Sequence, residues 1–480
     1  MKQAGHQVLV LDATAPHNPL SENEVHRRIL DFLPHFIGVT LTIVYIPRTY
    51  DFLQRLKQLK IPIVAGGPHA NCLPKEVLEH DADVVAIGEG EDTILELAEY
   101  FCGNKKLEDI TGICFKNGEG KLHYTQTRPL IQSLDRIPFP DYDSFPIAYY
   151  TGNPNPDSNP IFWSLFSSRG CPYNCIFCSS HNVFGRTYRS RSPQNVFDEV
   201  KWVSKTFGAR MFAFQDDEAF VDKKRVIEFC NIVKKSKLPL KFSGRLRIDS
   251  LDEKMLKSMK SADFKRLAFG IESFNDETLE KINKKYNVAT IAKGFKILEK
   301  AAFSPVYFNN LIGFPWETPE HLKSNLKEIS KIPKSIVYFT STNTLIPYPG
   351  TQLYEQYHKQ YGFTEWWLDP KKNSPSSNLD FKNTFFMMFM FDQVPLWNED
   401  IFWNHPSTMK RAIENFCWKV ASMSLRRCLH LPEYYFVYLF SKISRRIWKL
   451  SPRFEKVVFY PLVYLAKSLN LDRKVNFIYR

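Results

Sequence analysis

The chain of 480 residues has no apolar run long enough to cross a bilayer as a helix, and it has no low-complexity tract. No signal peptide is recognisable at its start, and its nine cysteines are an odd number, most of them scattered. We therefore exclude membrane-spanning, disordered and disulfide-rich secreted classes of protein. With 44% hydrophobic and 24% charged residues, the sequence predicts a cytoplasmic globular protein of more than one domain.

The net charge of +13 is not spread evenly along the chain. Residues 401–480 carry 15 Lys and Arg against 4 Asp and Glu, which leaves a charge of only +2 on the first 400 residues. A catalytic region that is nearly neutral gives no indication of a polyanionic ligand. We therefore expect no nucleic-acid partner.

The most informative segment is a run of three cysteines with the spacing C-x3-C-x2-C, at Cys171, Cys175 and Cys178. Three thiolates can hold a 4Fe-4S cluster and leave one iron without a protein ligand, open to a substrate. A closed zinc site that adds His181 as its fourth ligand is the main alternative. Zinc ribbons use two separated ligand pairs, and no second pair lies at a suitable distance here, so the cluster is the preferred interpretation.

Residues 1–102 alternate short apolar runs with amphipathic helical stretches, which predicts an α/β domain built on a parallel, doubly wound sheet. The predicted strands are the runs 7–11, 36–41, 61–65 and 84–87. Ligands of such sheets bind beyond the C-terminal ends of the strands. Those ends carry the candidate cofactor residues Thr40, Gly66, Gly67, Gly88, Glu89 and Gly90.

Residues 103–158 contain a hairpin signal and a proline-rich stretch, and we interpret them as a linker. Between residues 159 and 355, six strand signals alternate with helices, which predicts a partial (βα)6 barrel of the TIM type. The cysteine loop follows the first of these strands. Active residues are therefore expected at the C-terminal strand ends of the barrel.

Several phrases resemble the radical S-adenosylmethionine (SAM) enzymes that carry a B12-binding (cobalamin-dependent) domain. They are GCPYNCIFC around the cysteines, GIES at residues 270–273, and VAGGPHA and AIGEGEDTILEL in the first domain. The resemblance covers roughly residues 5–355 and implies that the first domain is a Rossmann-like cobalamin-binding domain. We expect that domain to lack its first strand here. No Asp-x-His-x-x-Gly occurs, so no histidine ligand to cobalt is expected.

The resemblance also implies roles for individual residues. The three cysteines hold the cluster, and the six strand-end residues of the first domain contact cobalamin. SAM is expected to bind at Phe177, Asp216, Asp217, Arg247, Glu272, Ser273 and Gly313. Trp316 stands where the family usually has glycine, which either changes only the packing or narrows the pocket.

The implied chemistry is reductive cleavage of SAM to a 5'-deoxyadenosyl radical, followed by methyl transfer from cobalamin to an unactivated carbon. One alternative is a radical cyclase or oxidative enzyme without methyl transfer. Another is a sensor or scaffold that binds cobalamin or zinc without catalysis. The expected partners are a small, hydrophobic substrate and an electron donor such as flavodoxin.

Residues 356–480 resemble no family that we can name, and their basic, aromatic-rich composition predicts a mainly helical region. Aromatic and basic helices of this kind can lie in the interface of an anionic membrane. The alternatives are a helical cap over the barrel and a docking face for an acidic electron donor.

Overall fold

The protein is described here from a computed structural model. It describes residues 1–368 with the exception of 14–18, 44–45, 146, 148–161, 304–305, 313, 318, 330, 334, 337 and 361–363. Most of the predicted C-terminal region and Gly313 therefore lie outside the described residues. Within the described part of the chain, no helix is both long enough and apolar enough to span a membrane.

The first sheet has five strands that lie side by side in chain order. They are β1 (Ile37–Thr40), β2 (Ile63–Gly66), β3 (Val84–Ala86), β4 (Ile113–Lys116) and β5 (Leu122–Tyr124). The first three are parallel, whereas β4 and β5 form an antiparallel hairpin beside β3. The predicted hairpin therefore belongs to this sheet, and the sheet continues beyond the predicted boundary at residue 102.

The prediction of a strand at residues 7–11 is wrong, since this run belongs to no sheet. A strand exists only through its pairing, and no described strand lies beside this run to share backbone hydrogen bonds with it. As a result β1 (Ile37–Thr40) forms the edge of the sheet, and its side chains are partly buried and exposed in alternation.

Five helices connect and cover these strands: α1 (Glu22–Phe32), α2 (Ile46–Lys57), α3 (Pro68–Cys72), α4 (Pro74–Glu79) and α5 (Gly90–Phe101). Successive side chains of β2 are buried on opposite faces. Ile63 and Ala65 join the main hydrophobic core, whereas Val64 packs in a smaller cluster with Leu97 of α5. Burial on both faces explains why this strand has a continuous apolar sequence.

The second region contains the strands β6 (Phe162–Leu165), β7 (Ser168–Arg169), β8 (Arg189–Ser190), β9 (Met211–Phe214), β10 (Lys241–Leu246), β11 (Phe264–Glu272), β12 (Val306–Ile312) and β13 (Tyr338–Thr344). Six of them form one parallel sheet in the order β6-β9-β10-β11-β12-β13. This sequential order is the one that a partial barrel requires, and all six predicted strands are present. The short strands β7 and β8 pair with each other beside the cysteine loop.

The helices of this region are α6 (His181–Phe184), α7 (Pro193–Phe207), α8 (Lys223–Ser236), α9 (Glu253–Ser261), α10 (Asp276–Lys281), α11 (Val288–Lys300), α12 (Pro319–Ile329) and α13 (Gln352–Tyr357). Asp222, Asp252 and Asn287 cap three of them by accepting backbone N–H groups of the first turn. One hydrophobic core includes Leu41 of the first region and Phe212 of the second. The two regions therefore pack against each other.

Candidate active site

The cysteine loop begins directly after β7 and turns sharply at Gly170. Gly170 has a φ of 79°, and a Cβ at this position would clash with the carbonyl oxygen of Thr187. Only glycine fits such a position without strain. The chain is thereby turned into the loop that presents Cys171, Cys175 and Cys178, all three of them partly buried free thiols.

Backbone hydrogen bonds hold the loop from two sides. The Ile176 amide donates to the Ile282 carbonyl at 3.2 Å, and the Leu353 amide donates to the Ile176 carbonyl at 3.0 Å. The Asn283 side chain donates to the Asn174 carbonyl at 2.7 Å. The loop is therefore fixed by the segments after α10 and at the start of α13, far along the chain.

The three thiols lie close enough to influence one another. Burial raises the pKa of Cys171 to about 12, and the nearby Glu218, Cys178 and Cys175 add to the rise. Burial also raises the pKa of Cys175, against the opposing charges of Lys284 and Arg247. Iron binds cysteine as the thiolate, and the raised pKa values mean that deprotonating these thiols costs free energy. The positive charge of the bound iron would have to offset that cost.

Three thiolates are the donor set that a 4Fe-4S cluster with one open iron takes from a protein. Among the described residues, no three His, Cys, Asp or Glu side chains converge closely enough to hold one metal ion. A cube distributes its ligands over different iron atoms, so its three thiolates need not converge on one point. His181, the fourth ligand of the alternative zinc site, lies at the start of α6, and burial lowers the pKa of its ring.

Phe177 lies against an aromatic wall. Its ring meets that of Phe314 edge-on, with centroids 6.2 Å apart, and Phe314 stacks on Trp316 at 5.3 Å. Trp316 donates its indole N–H to Thr278 Oγ1 at 3.4 Å, and Lys281 lies over its ring. Trp316 therefore packs behind Phe314.

The acidic segment after β9 separates into three environments. Asp216 is buried, and its Oδ1 accepts from the Ser167 amide at 2.8 Å and from the Ser168 hydroxyl at 2.6 Å. Partial burial raises the pKa of Asp217, and a hydrogen bond from Ser180 of the cluster region opposes that rise. The structure thus directs Asp216 towards the backbone around β7.

Glu218 has the most unusual environment of the three. Its side chain is buried, and no described residue donates to its Oε1. Burial raises the pKa of this carboxyl to about 8, although Arg247 and Lys284 act against the rise. A buried carboxylate oxygen without a donor is costly, so this atom is well suited to a cationic or N–H ligand.

Arg247, at the end of β10, is buried between two aromatic rings. Its guanidinium carbon lies 3.7 Å from the ring centroid of Tyr173, which belongs to the cysteine loop, and 4.8 Å from that of Tyr286. Its Nε and Nη2 donate to the two carboxylate oxygens of Asp249 at 3.0 and 2.9 Å. One edge of the predicted carboxylate-binding group is therefore already occupied, and no described residue accepts a hydrogen bond from its Nη1.

Glu272, at the end of β11, pairs with Lys284, whose Nζ lies 3.1 Å from Glu272 Oε1. Burial alone would lower the pKa of Lys284, but Glu272, Tyr286 and Cys175 outweigh it and raise that pKa. Glu272 has a φ of 69° at an irregularity in the strand, an unusual conformation for a residue with a side chain. Such strain points to a functional position.

Ser273 does not face the same space. It is fully buried, and its hydroxyl donates to the Asn325 side chain at 3.2 Å and accepts from the Asn275 amide at 3.2 Å. These contacts organise the turn before α10. Gly313 lies outside the described residues.

The predicted cobalamin residues lie together at one edge of the first sheet, where β1, β2 and β3 end. Thr40 pairs with Gly66 across the strands. Gly67 has a φ of 94°, and a Cβ there would lie 2.9 Å from the Leu41 oxygen. By contrast, a Cβ at Gly88 or Gly90 would meet nothing within 4 Å. The backbone of this loop therefore borders open space, as a large flat ligand requires.

Glu89 differs from its glycine neighbours because its carboxylate points to the second region. It accepts from Arg169 and Arg189 at 2.9 Å and from the Ile131 amide at 2.7 Å. These three contacts outweigh the effect of burial and lower the pKa of Glu89. The Arg189 side chain is itself buried in this bridge.

Sequence reasoning missed several residues of the site. Tyr173 and Tyr286 sandwich Arg247, and aromatic residues near a strand-end arginine give no signal on their own. Asn71 connects the two glycine loops of the first sheet, since it accepts from the Gly88 amide at 2.5 Å and donates to the Gly67 carbonyl at 3.1 Å. Asn71 lies in the short helix that directly follows Gly66 and Gly67, and this position was a signal in the sequence that could have identified it.

Two family models match the chain. The model of the radical SAM superfamily matches residues 165–329, and the model of the B12 binding domain matches residues 1–98. An uncharacterised methyltransferase of Pyrococcus horikoshii is 31% identical over 365 residues, which cover 74% of this chain and 76% of the relative. The chain belongs to the B12-binding radical SAM enzymes.

Other relatives of this radical SAM enzyme differ in the reaction that their names describe. The anaerobic magnesium-protoporphyrin IX monomethyl ester cyclase of Rubrivivax gelatinosus is 28% identical over 68% of this chain, which spans 59% of the cyclase. The hopanoid C-3 methylase of Methylococcus capsulatus is 24% identical over 75% of this chain and 67% of the methylase. The predicted family, enzyme class and cofactor set are confirmed, and methyltransferases prevail among the relatives.

Solved structures agree on the fold. The radical SAM methyltransferase TsrM from Kitasatospora setae, solved with cobalamin and a 4Fe-4S cluster bound, has a TM-score of 0.60 at 17% identity and covers 71% of this chain and 70% of its own. OxsB, solved with aqua-cobalamin, has a TM-score of 0.57 at 19% identity and covers 72% of this chain and 50% of its own. Both therefore share the two-region α/β architecture of this enzyme.

Proposed function

We propose that this enzyme is a cobalamin-dependent methyltransferase that adds a methyl group to an unactivated carbon of a small, hydrophobic substrate. One observation carries the proposal. The loop at Gly88–Gly90 is joined through Glu89 to Arg169, which lies two residues before Cys171. A methyl donor at the first edge and a radical generated at the second can react only if both edges border one space, and this contact supports that arrangement.

When bound, the cluster supplies the electron that cleaves SAM, and cobalamin supplies the methyl group. The chain contributes binding and orientation. We assign the three cysteines to the cluster, and the backbone at Gly66, Gly67, Gly88 and Gly90 to the corrin. A Cβ at Gly88 or Gly90 would meet nothing within 4 Å, so a ligand can approach the backbone closely at these two positions.

For SAM we assign contacts by charge. The unpartnered Oε1 of Glu218 suits the amino group, and Nη1 of Arg247 suits the carboxylate. Glu272 is assigned to the ribose hydroxyls, and Lys284 holds its carboxylate in place at 3.1 Å. Phe177 and Phe314 offer an apolar wall for the adenine and exclude water from it.

The test is anaerobic reconstitution with iron, sulfide and hydroxocobalamin, followed by reduction in the presence of SAM that carries a labelled methyl group. We expect 5'-deoxyadenosine, S-adenosylhomocysteine and, with extracts as a source of substrate, a product that has gained the labelled methyl. The same assay on Cys175→Ala provides the blank. Absence of both SAM-derived products in the wild-type enzyme would refute catalysis and favour the sensor or scaffold.

The alternative of a cyclase or oxidative enzyme is favoured by the cyclase of Rubrivivax gelatinosus among the relatives. Such an enzyme would form 5'-deoxyadenosine and change its substrate without adding the label. The labelled methyl therefore separates the two reactions in one experiment.

The basic C-terminal residues 401–480 suggest where in the cell the enzyme acts. We propose that residues 401–480, with 15 Lys and Arg against 4 Asp and Glu, bring the enzyme to anionic membranes where a hydrophobic substrate resides. Each basic residue near such a surface contributes about 1 kcal/mol, and salt screens that contribution. The full chain should sediment with anionic vesicles at low salt, be released at high salt and ignore neutral vesicles. Equal behaviour with both vesicles would favour a cap or a docking face for the electron donor.

A further inference from the structure

Glu89 is a buried charge between the two regions of the enzyme. Its residue is 5% exposed. Oε1 accepts from Nη1 of Arg169 at 2.9 Å, and Oε2 accepts from Nη1 of Arg189 at 2.8 Å and from the Ile131 amide at 2.7 Å. We call Glu89, Arg169 and Arg189 together the Glu89 bridge.

The two arginines belong to the frame of the cluster loop. Arg169 and Arg189 are paired residues of the antiparallel strands β7 and β8. Arg169 precedes Cys171 by two residues, and its guanidinium also lies 5.2 Å from the ring centroid of Phe184 and bonds to Glu91. A movement of Glu89 would therefore be transmitted to the strand from which the cysteine loop begins.

On the other side, the carboxylate belongs to the open loop of the first sheet. Both neighbours of Glu89 are glycines whose Cβ positions meet nothing within 4 Å. The Gly88 amide is held by Asn71, and Gly90 begins α5. Because the two glycines have no side chains, the Glu89 side chain is the group that ties this loop to Arg169 and Arg189.

Stability alone explains such a bridge poorly. Charges that are buried lose their hydration, and replacing a buried ion pair by apolar groups is often neutral or stabilising. The contact between the two regions already contains an apolar core. The Glu89 carboxylate accepts three hydrogen bonds in fixed directions. These bonds define the distance and orientation between the loop at Gly88–Gly90 and the cysteine loop.

We propose that Glu89 is a positioning residue that sets the distance between the loop at the corrin site and the cysteine loop. The inference rests on the proposed function, because it assigns the corrin to that loop. It also replaces the expectation that Glu89 itself contacts cobalamin. Arg169 and Arg189 are the corresponding positioning residues on the second region.

The first experiment needs no cobalamin. Hydrogen exchange is measured on the full chain with its cluster reconstituted, for the wild type, Glu89→Gln and Arg189→Lys. Loss of a charge-assisted hydrogen bond to a buried group should speed exchange of the Ile131 amide and of residues 84–90 roughly tenfold or more. Unchanged exchange in both variants would overturn the proposal.

The second experiment measures the distance itself. The enzymes are loaded with hydroxocobalamin and reduced so that Co(II) and the cluster are both paramagnetic, and their dipolar coupling is measured by pulsed electron paramagnetic resonance. We expect one narrow distance in the wild type and a broader distribution in Glu89→Gln and Arg189→Lys, with iron and cobalamin contents unchanged. Loss of cobalamin in Glu89→Gln but not in Arg189→Lys would indicate direct contact and refute the positioning role.

Asp92→Asn is the matched control, since Asp92 lies three residues further on and pairs with Arg136 in a more exposed bridge. This variant should behave as the wild type in both experiments. If the double variant Glu89→Gln with Arg189→Lys changes the distribution no more than either single variant, the residues act through one contact. If the wild type binds no cobalamin, the proposed function fails, whereas the exchange experiment still decides the role of the bridge.

Discussion

The two ligand-binding edges of this enzyme contrast in how they are built. The edge of the first sheet carries four glycines, of which Gly88 and Gly90 border open space, and one charge that points away to the other region. The edge of the second sheet is lined with buried charges, among them Glu218, Arg247, Glu272 and Lys284. On the assignments proposed above, the first edge selects its ligand by shape and the second by charge.

The difference has a physical basis. A corrin is large and flat, and backbone without side chains can approach it over a wide area. SAM carries separate amino and carboxylate groups, which are recognised best by partners that are fixed and partly desolvated. Substitutions at the second edge should therefore lower both the stability of the fold and the binding of SAM. Substitutions at the first edge should be able to weaken cobalamin binding without lowering the stability of the fold.

The largest effect is expected at the cysteines, which belong to the charged edge. Substitution of Cys171, Cys175 or Cys178 by Ala should abolish the iron–sulfur absorption and all formation of 5'-deoxyadenosine, because each supplies one iron with its only protein ligand. Iron and sulfide contents check the result. Cys230→Ala is the control, since this buried cysteine lies in α8 and should leave about four iron per chain. Stoichiometric zinc in place of iron would contradict the assignment.

The buried pair at the second edge is expected to give the next largest effect. Lys284→Met leaves the Glu272 carboxylate without its partner, where the two side chains are only 6% and 12% exposed. Breaking a buried pair in this way typically costs about 3–5 kcal/mol. Urea unfolding of the cofactor-free enzyme measures the loss. Lys300→Met, whose pair with Glu253 is exposed, should show no change, and equal stability of both variants would contradict the contrast between buried and open edges.

The pH dependence of stability provides a subtler test of the charged edge. Burial raises the pKa of Glu218 from 4.5 to about 8, so the stability that its neutral form contributes is present below pH 4.5 and is lost as the pH rises to about 8. Glu218→Gln cannot ionise. In the cofactor-free enzyme, its advantage over the wild type should therefore grow between pH 5 and 8 and then level off. The exposed Glu228→Gln should follow the wild type throughout, and a flat difference for Glu218→Gln would show that this carboxyl ionises normally.

The smallest effect on folding is expected at the open edge. Gly90→Ala places a methyl group where nothing lies within 4 Å, at the first position of α5, and should raise the free energy of unfolding by about 0.5 kcal/mol. Retention of cobalamin on gel filtration should nevertheless fall, because the methyl group enters the space assigned to the corrin. Gly67→Ala should instead destabilise the fold by about 1–3 kcal/mol, since its φ is 94°. Full retention in Gly90→Ala would place the corrin elsewhere.

Prediction from the sequence was most successful where the signal is local. The six strands of the second sheet depend on short-range patterns, and all six were found close to their predicted positions. The predicted strand at residues 7–11 was wrong because pairing depends on a neighbour that an apolar run cannot specify. The hairpin was predicted, but its place in the first sheet was not. That place depends on the pairing of β4 with β3, in which Ile113 lies opposite Ala86, 27 residues earlier in the chain.

The sequence by itself determined the family and the cofactor set and predicted the cysteines of the cluster, because these follow from residue types at fixed short spacings. The tertiary structure alone decided which protein groups each of the predicted side chains contacts. It directed Asp216 to the backbone at Ser167, Ser273 to Asn325 and Glu89 to Arg169, and it left Oε1 of Glu218 without a described partner. A side chain's partner depends on segments that meet only after folding, so no spacing along the chain encodes it.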